Sequence, residues 1–158
     1  MVRVGSCNVG STTGKVREIA ECMNRRMVDI LCDCVWNVLS AYAPQAGHSE
    51  AVKEEFMTEW EGMIANVPES EKLIVAGDMN AHIGKEVDGW DGVHGGFGFS
   101  EKNREGERLL ESAHALNLSV LNTYFQKREL NRVITYKSGN ASSVIDFMFV
   151  RKSDCKYV

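Results

Sequence analysis

Two short stretches of this chain hold the residues whose types and spacing suit chemistry. The first is Lys72 to Gly84, Lys-Leu-Ile-Val-Ala-Gly-Asp-Met-Asn-Ala-His-Ile-Gly. Its apolar run Leu73 to Ala76, bounded by Gly77, predicts a buried strand, with Asp78 and Asn80 just past its end. On an extended backbone residues i and i+2 face the same way, so the carboxylate and the carboxamide would project together. Such a pair suits a site that holds a hard cation and orients a water or a phosphate oxygen. A Gly-Asp-x-Asn turn with no chemistry accounts for the same residue types. The second stretch is Val144 to Val150, where Asp146 is the one charged residue in a strongly apolar strand pattern. A carboxylate there costs several kcal/mol unless it is paired, hydrogen-bonded or metal-bound. Asn8, at the end of the β-like run Val2 to Asn8, repeats the placement of a polar residue at a strand end.

The elements that must position these residues follow from periodicity. Val16, Ile19, Ala20, Met23 and Met27 share one face of a first helix. The loop Gly10 to Lys15 is not a phosphate-cradling P-loop, because its glycines are too close and Val16 stands where a Ser or Thr should be. Val28 to Ala43 has no Gly, no Pro and no turn pair. It is too long for one strand, has no loop to make two, and reads as two segments joined directly. Ser49 is the expected N-cap of a helix with Val52, Phe56, Trp60, Met63 and Ile64 inward, stopped by Pro68. Residues 84–100 form a glycine-rich loop whose Trp90, Phe97 and Phe99 serve as anchors or as stacking surfaces for bases. Asn103 to Leu116 predicts another amphipathic helix, and Ser119 to Asn122, Val133 to Tyr136 and Ser143 to Val150 predict strands. Strands alternating with amphipathic helices indicate a layered α/β domain, single over 1–158, that gathers strand-end residues at one edge.

Composition narrows the class. With 158 residues, 44% of them hydrophobic and 25% charged, the chain suits one globular domain. No apolar run reaches membrane-spanning length, and Met-Val-Arg-Val-Gly leads into a strand rather than a signal peptide, so no membrane partner and an intracellular location are expected. The five cysteines lack metal or disulfide spacing. Net charge is −4 overall, but residues 48–112 sum to −9 and residues 113–158 to +4. That basic tail is either a phosphate-facing rim or a solvated edge.

Ser6-Cys-Asn8-Val, Ala41-Tyr42-Ala-Pro44, Gly77-Asp78-Met-Asn80 and Ile145-Asp146-Phe resemble the endonuclease/exonuclease/phosphatase (DNase I-like) superfamily. Ala41 to Gly47, Gly95 to Phe99, Asn103 to Leu110 and Ile134 to Ser138 are similar to the craniofacial development protein 2-like branch, and so to apurinic-type endonuclease domains of non-LTR retrotransposons. The resemblance implies a two-sheet β-sandwich flanked by helices and a Mg²⁺- or Mn²⁺-dependent phosphodiesterase acting on DNA. It implies that Asp78 orients the attacking water, that Asn80 steadies the phosphate and that Asn8 belongs to the metal and phosphate shell. Tyr42 would bond a phosphate oxygen, Thr135 would lie near the nucleic-acid strand, and Asp146 would orient a histidine. A nuclear location would follow from a genomic DNA substrate.

The branch carries a metal-ligand glutamate in the pattern Cys-Val-Gln-Glu, followed by several strands before Ala-Tyr-Ala-Pro. Here the corresponding place reads Leu31-Cys32-Asp33-Cys34-Val35, and the next glutamate is Glu50. The family's terminal Ser-Asp-His motif is also missing: Ser153-Asp154 is a decoy that follows the Asp146 strand with no room for the intervening hairpin, Cys155 comes next, and no histidine occurs after His114. The sequence therefore predicts a domain shortened internally and at its C-terminal side, with central strands missing and an impaired nuclease activity. Asp33, two residues before the glutamate position, is the candidate replacement ligand. The alternative is a non-catalytic remnant that binds nucleic acid or a protein partner.

Overall fold

A computed structural model describes residues 4–6, 30–32, 35–126, 133–139 and 141–157. The chain divides into two compact units, 1–36 and 37–158. In the first, β1 (Val4–Ser6) pairs in parallel with β2 (Ile30–Cys32), Gly5 standing opposite Leu31. The expected first helix lies outside the described residues.

The second unit is built on a four-stranded sheet in the order β3 (Trp36–Tyr42), β4 (Lys72–Asp78), β10 (Asp146–Arg151) and β7 (Leu118–Val120). The awkward run Val28 to Ala43 is thus two strands, β2 and β3, that pair with different neighbours, so no reversing loop is needed between them. β3 and β4 advance in the same sense, since Asn37 bonds the Lys72 carbonyl at one end and Ala43 N–H donates to Asp78 O at the other. β10 runs antiparallel to both β4 and β7.

Alternation gives this sheet two unlike faces. Leu73, Val75, Phe147 and Phe149 are buried on one. Against that face packs α1 (Glu50–Ala65), whose Trp60 meets Phe149 edge-on with centroids 5.2 Å apart. Ser49 occupies the N-cap position, as expected, but its side chain makes no capping bond; its backbone carbonyl accepts from Lys53 N–H. Val52 and Met63, expected inward, are exposed, because the stripe that packs is Phe56, Met57, Trp60 and Ile64. After α1, the guanidinium of Arg151 donates to the carbonyls of Val67, Pro68 and Glu71. That ties the loop around Pro68 to the end of β10. The second helix, α2 (Arg104–Ala115), buries Leu109, Leu110 and Ala113, and Asn103 caps it by accepting from Gly106 N–H at 2.8 Å.

The glycine-rich loop is closed at its base by β5 (Ile83–Gly84) and β6 (Phe99–Lys102). Trp90 and Phe99 pack on the core as anchors, whereas Phe97 is exposed. A hairpin of β8 (Tyr136–Ser138) and β9 (Ala141–Ser143) precedes β10. Three strand expectations change. Val133 to Tyr136 is not a strand, since residues 133–135 are irregular and β8 begins only at Tyr136. Ser119 to Asn122 is strand only to Val120, then turns into a 3-10 segment, Leu121–Tyr124. The long strand over Ser143 to Val150 breaks at Val144-Ile145, so Asp146 opens β10 rather than lying inside it. The mixed α/β class expected from the sequence, strands flanked by helices, is the class observed.

Candidate functional site

Where β4 and β10 end together, the register sets Asp78 directly opposite Asp146. Ala43 N–H donates to Asp78 O, while the backbone of Asp146 turns the other way, its N–H to Thr135 and its carbonyl to Asn122. The two acids therefore form a non-hydrogen-bonded pair, the closely spaced kind in which side chains emerge side by side on one face. It is the half-exposed face of the sheet, away from α1. Like charges directly opposite destabilise a sheet unless something neutralises them.

Asn80 does not continue the strand. Its φ is +45°, in the left-handed region, and its N–H folds back to Asp78 Oδ1 at 2.9 Å. Asn adopts this conformation more readily than most residues because its short polar side chain bonds nearby backbone. The shared-face reading of Asp78 and Asn80 on extended backbone is thus corrected: Asp78-Met79-Asn80 is an Asx turn. The turn still brings the two groups together. Asn80 Nδ2 donates to Ala43 O at 2.7 Å, which fixes the carboxamide at the end of β3. Tyr42 precedes Ala43. Its neighbours Ala41 and Ala43 are buried, so alternation puts the phenol on the Asp78 face, and it is 67% exposed.

Thr135 is brought to the same end of the sheet. Its hydroxyl accepts from Ile145 N–H at 3.1 Å and Asp146 N–H at 3.3 Å. One residue at this end has no forecast from the sequence. Asn122, placed there in a strand, instead turns its carboxamide onto β10, accepting from Met148 N–H at 2.7 Å and donating to Asp146 O at 3.2 Å. The only available signal is a polar residue directly after the apolar run Val120-Leu121. Asn8 and Asp33 lie outside the described residues.

The cluster of Tyr42, Asp78, Asn80, Asp146, Thr135 and Asn122 is therefore gathered from three strand ends, two loops and the 3-10 segment. The donor set is all hard oxygen, two carboxylates and carboxamides, which fits Mg²⁺ or Mn²⁺ and offers nothing to a soft metal. Mg²⁺ commonly takes one or two carboxylates and completes its shell with water and substrate phosphate. Among the described residues no group of three or more His, Cys, Asp or Glu side chains is placed to hold a metal by itself.

Ser153-Asp154 plays a different part. Asp154 is 1% exposed and ion-paired with Lys72 at the opposite end of β4. It is a half-buried structural pair, remote in register from Asp78.

The chain is similar to craniofacial development protein 2. It is 30% identical to the Bos taurus protein over 117 residues, 73% of this chain. The Tragulus javanicus protein is 28% identical over the same length. The kinship read from the motifs is borne out. The chain spans about a fifth of the length of these relatives, at 19% and 20%. No family model matches it. Among solved structures, the endonuclease domain of TRAS1, a telomere-specific non-LTR retrotransposon, superposes with a TM-score of 0.44 and 18% identity, covering 73% of this chain and 45% of that one. A likeness that distant bears on neither activity nor substrate. No helix among the described residues is long and apolar enough to cross a membrane.

Proposed function

We propose that this end of the sheet is the cation and phosphate site of an endonuclease-type phosphodiesterase acting on DNA, with Mg²⁺ or Mn²⁺ as cofactor. The observation that carries the reading is the opposition of Asp78 and Asp146 in the strand register, two acidic residues on one face of the sheet end where a cation could bridge them. The cation, when bound, supplies a Lewis acid for the charge that develops on phosphate. The chain's own residues do the rest. Asp78 and Asp146 hold the ion, and Asp78 orients the attacking water through the oxygen not engaged by Asn80 N–H. Asn80, locked to Ala43 O through Nδ2, presents its carboxamide to the phosphate. Tyr42, exposed on the same face, donates its hydroxyl to a phosphate oxygen. Thr135 supports the strand end from behind.

The activity is impaired in this reading. Leu31-Cys32-Asp33-Cys34-Val35 stands where the resembling branch has its metal-ligand glutamate, and loss of a principal ligand lowers rate by orders of magnitude. The same observation favours a second reading, a non-catalytic remnant that binds nucleic acid or a protein partner.

Nicking of supercoiled plasmid with and without Mg²⁺, beside Asp78→Ala, tests the first reading. Metal-dependent nicking that the substitution abolishes supports it. If nicking is absent, or is equal in the variant, the enzyme reading fails. DNA binding that weakens steeply with salt and never leads to cleavage then supports the second.

A further inference from the structure

The β7–β10 ladder stops short of the candidate site. Its last pairs join Phe149 to Val120 and Val150 to Ser119, and the chain then leaves as the 3-10 segment Leu121–Tyr124. The edge of β10 from Met148 to Asp146 would be left without a strand beside it. Two side chains take the strand's place. Asn122 accepts from Met148 N–H and donates to Asp146 O, supplying one acceptor and one donor that two residues of a continuing strand would have supplied. Thr135 Oγ1 accepts from the N–H groups of Ile145 and Asp146.

The geometry points to Asn122 as a positioning residue that holds the start of β10 in register, keeping the Asp146 carboxylate beside that of Asp78. This assignment rests on the reading of the site proposed above. Asn122 needs no contact with ion or substrate to do it. A carboxamide suits the task because it offers a donor and an acceptor on one rigid plane. An aspartate would keep the acceptor for Met148 N–H, lose the donor to Asp146 O and add a third negative charge. A serine would be too short to span both bonds.

The experiment compares the wild type with Asn122→Ala and Asn122→Asp by NMR. A non-hydrogen-bonded antiparallel pair brings opposite Hα atoms close together, so wild-type Asp78 and Asp146 should show a strong Hα–Hα cross-peak. In Asn122→Ala that cross-peak should vanish and the Met148 amide should exchange roughly tenfold faster. The Ile74–Val150 cross-peak, deeper in the same strand pair, should persist. Mn²⁺ affinity, read from line broadening at Asp78 and Asp146, should fall roughly tenfold, the scale for groups that orient ligands. In Asn122→Asp the Met148 amide should stay protected while the Asp78–Asp146 cross-peak weakens. That variant also decides the question if Asn122→Ala does not fold. A cross-peak retained at full strength in both variants overturns the assignment. So does a lost cross-peak with unchanged Mn²⁺ affinity, since Asn122 would then serve stability alone. If the wild type shows no Mn²⁺ effect, the metal reading of the site has failed, and the cross-peak still decides whether Asn122 sets the register.

Discussion

Asn103 and His82 hold each other by reciprocal bonds. Asn103 N–H donates to His82 O at 3.0 Å, and Asn103 Oδ1 accepts from His82 N–H at 3.0 Å. The same oxygen accepts from Gly106 N–H, so one side chain caps α2 and pins the loop that leaves the Asn80 turn. Losing an N-cap costs about 1–2 kcal/mol, and here a second, half-buried N–H, that of His82, loses its acceptor as well. Asn103→Ala should therefore destabilise by about 2 kcal/mol in urea denaturation. Backbone shifts at Ala81 and His82 should accompany it.

Buried His94 makes the fold sensitive to acid. Gly96 N–H donates to Nδ1 at 3.0 Å, so Nε2 carries the proton and donates to Gly84 O at 3.2 Å. Burial holds its pKa below the ordinary histidine value. Below about pH 6.5 the unfolded chain takes up a proton that the folded one resists. Stability should then fall as pH drops through the ordinary histidine range toward the lowered folded value. Urea midpoints measured from about pH 7.5 down to about pH 5 should show that loss, and His94→Gln should flatten it.

Gly77 precedes Asp78, and a Cβ there would run into the carbonyl of Ala41 on β3. That obstacle is backbone and cannot swing aside. Gly77→Ala should push β3 from β4 and cost about 1–3 kcal/mol by overpacking. Hydrogen exchange should localise the damage to the Ala43 amide, which now bonds Asp78 O at 2.8 Å.

The pair of Lys72 and Asp154 should respond unequally to substitution. Asp154's side chain is 2% exposed, against 23% for Lys72. Lys72→Met strands a buried carboxylate and should cost about 3–5 kcal/mol, whereas Asp154→Asn leaves a lysine that can reach water and should cost less. Thermal melts of the two variants check the order.

The parts legible in the sequence are those that periodicity fixes. The expected strand Leu73 to Ala76 lies inside β4, which runs on through Gly77 to Asp78, and the 3.6-residue spacing of Phe56, Trp60 and Ile64 lies in α1. The start of α1 at Ser49 and the end near Pro68 follow from local stereochemistry. What escapes is whatever depends on a side chain replacing backbone. Asn80 leaves the strand because its N–H bonds the Asp78 carboxylate, and nothing in the residue order tells that from extended continuation. Asp146 opens its strand because Thr135, in a preceding segment, captures the Ile145 and Asp146 amides. The β-branched Val144 and Ile145 conceal the break. Gly77-Asp78-Met79-Asn80 stands out in the sequence by residue type, and the structure shows it as an Asx turn closing β4, the turn that competes with the site reading.

The opposition of Asp78 and Asp146 spans roughly seventy residues of chain, with α2, the glycine-rich loop and the β8–β9 hairpin between them. Closing so long a loop carries an entropy cost that only a nearly complete core can offset. β10 is also the inner strand that joins β4 to β7, so the sheet has no centre until it arrives. On the ribosome, the second compact unit should stay unlocked until Arg151 has cleared the exit tunnel, and the site should form in one late, cooperative step. Arrested nascent chains ending before Asp146 should therefore be protease-sensitive throughout residues 37–126, helices included.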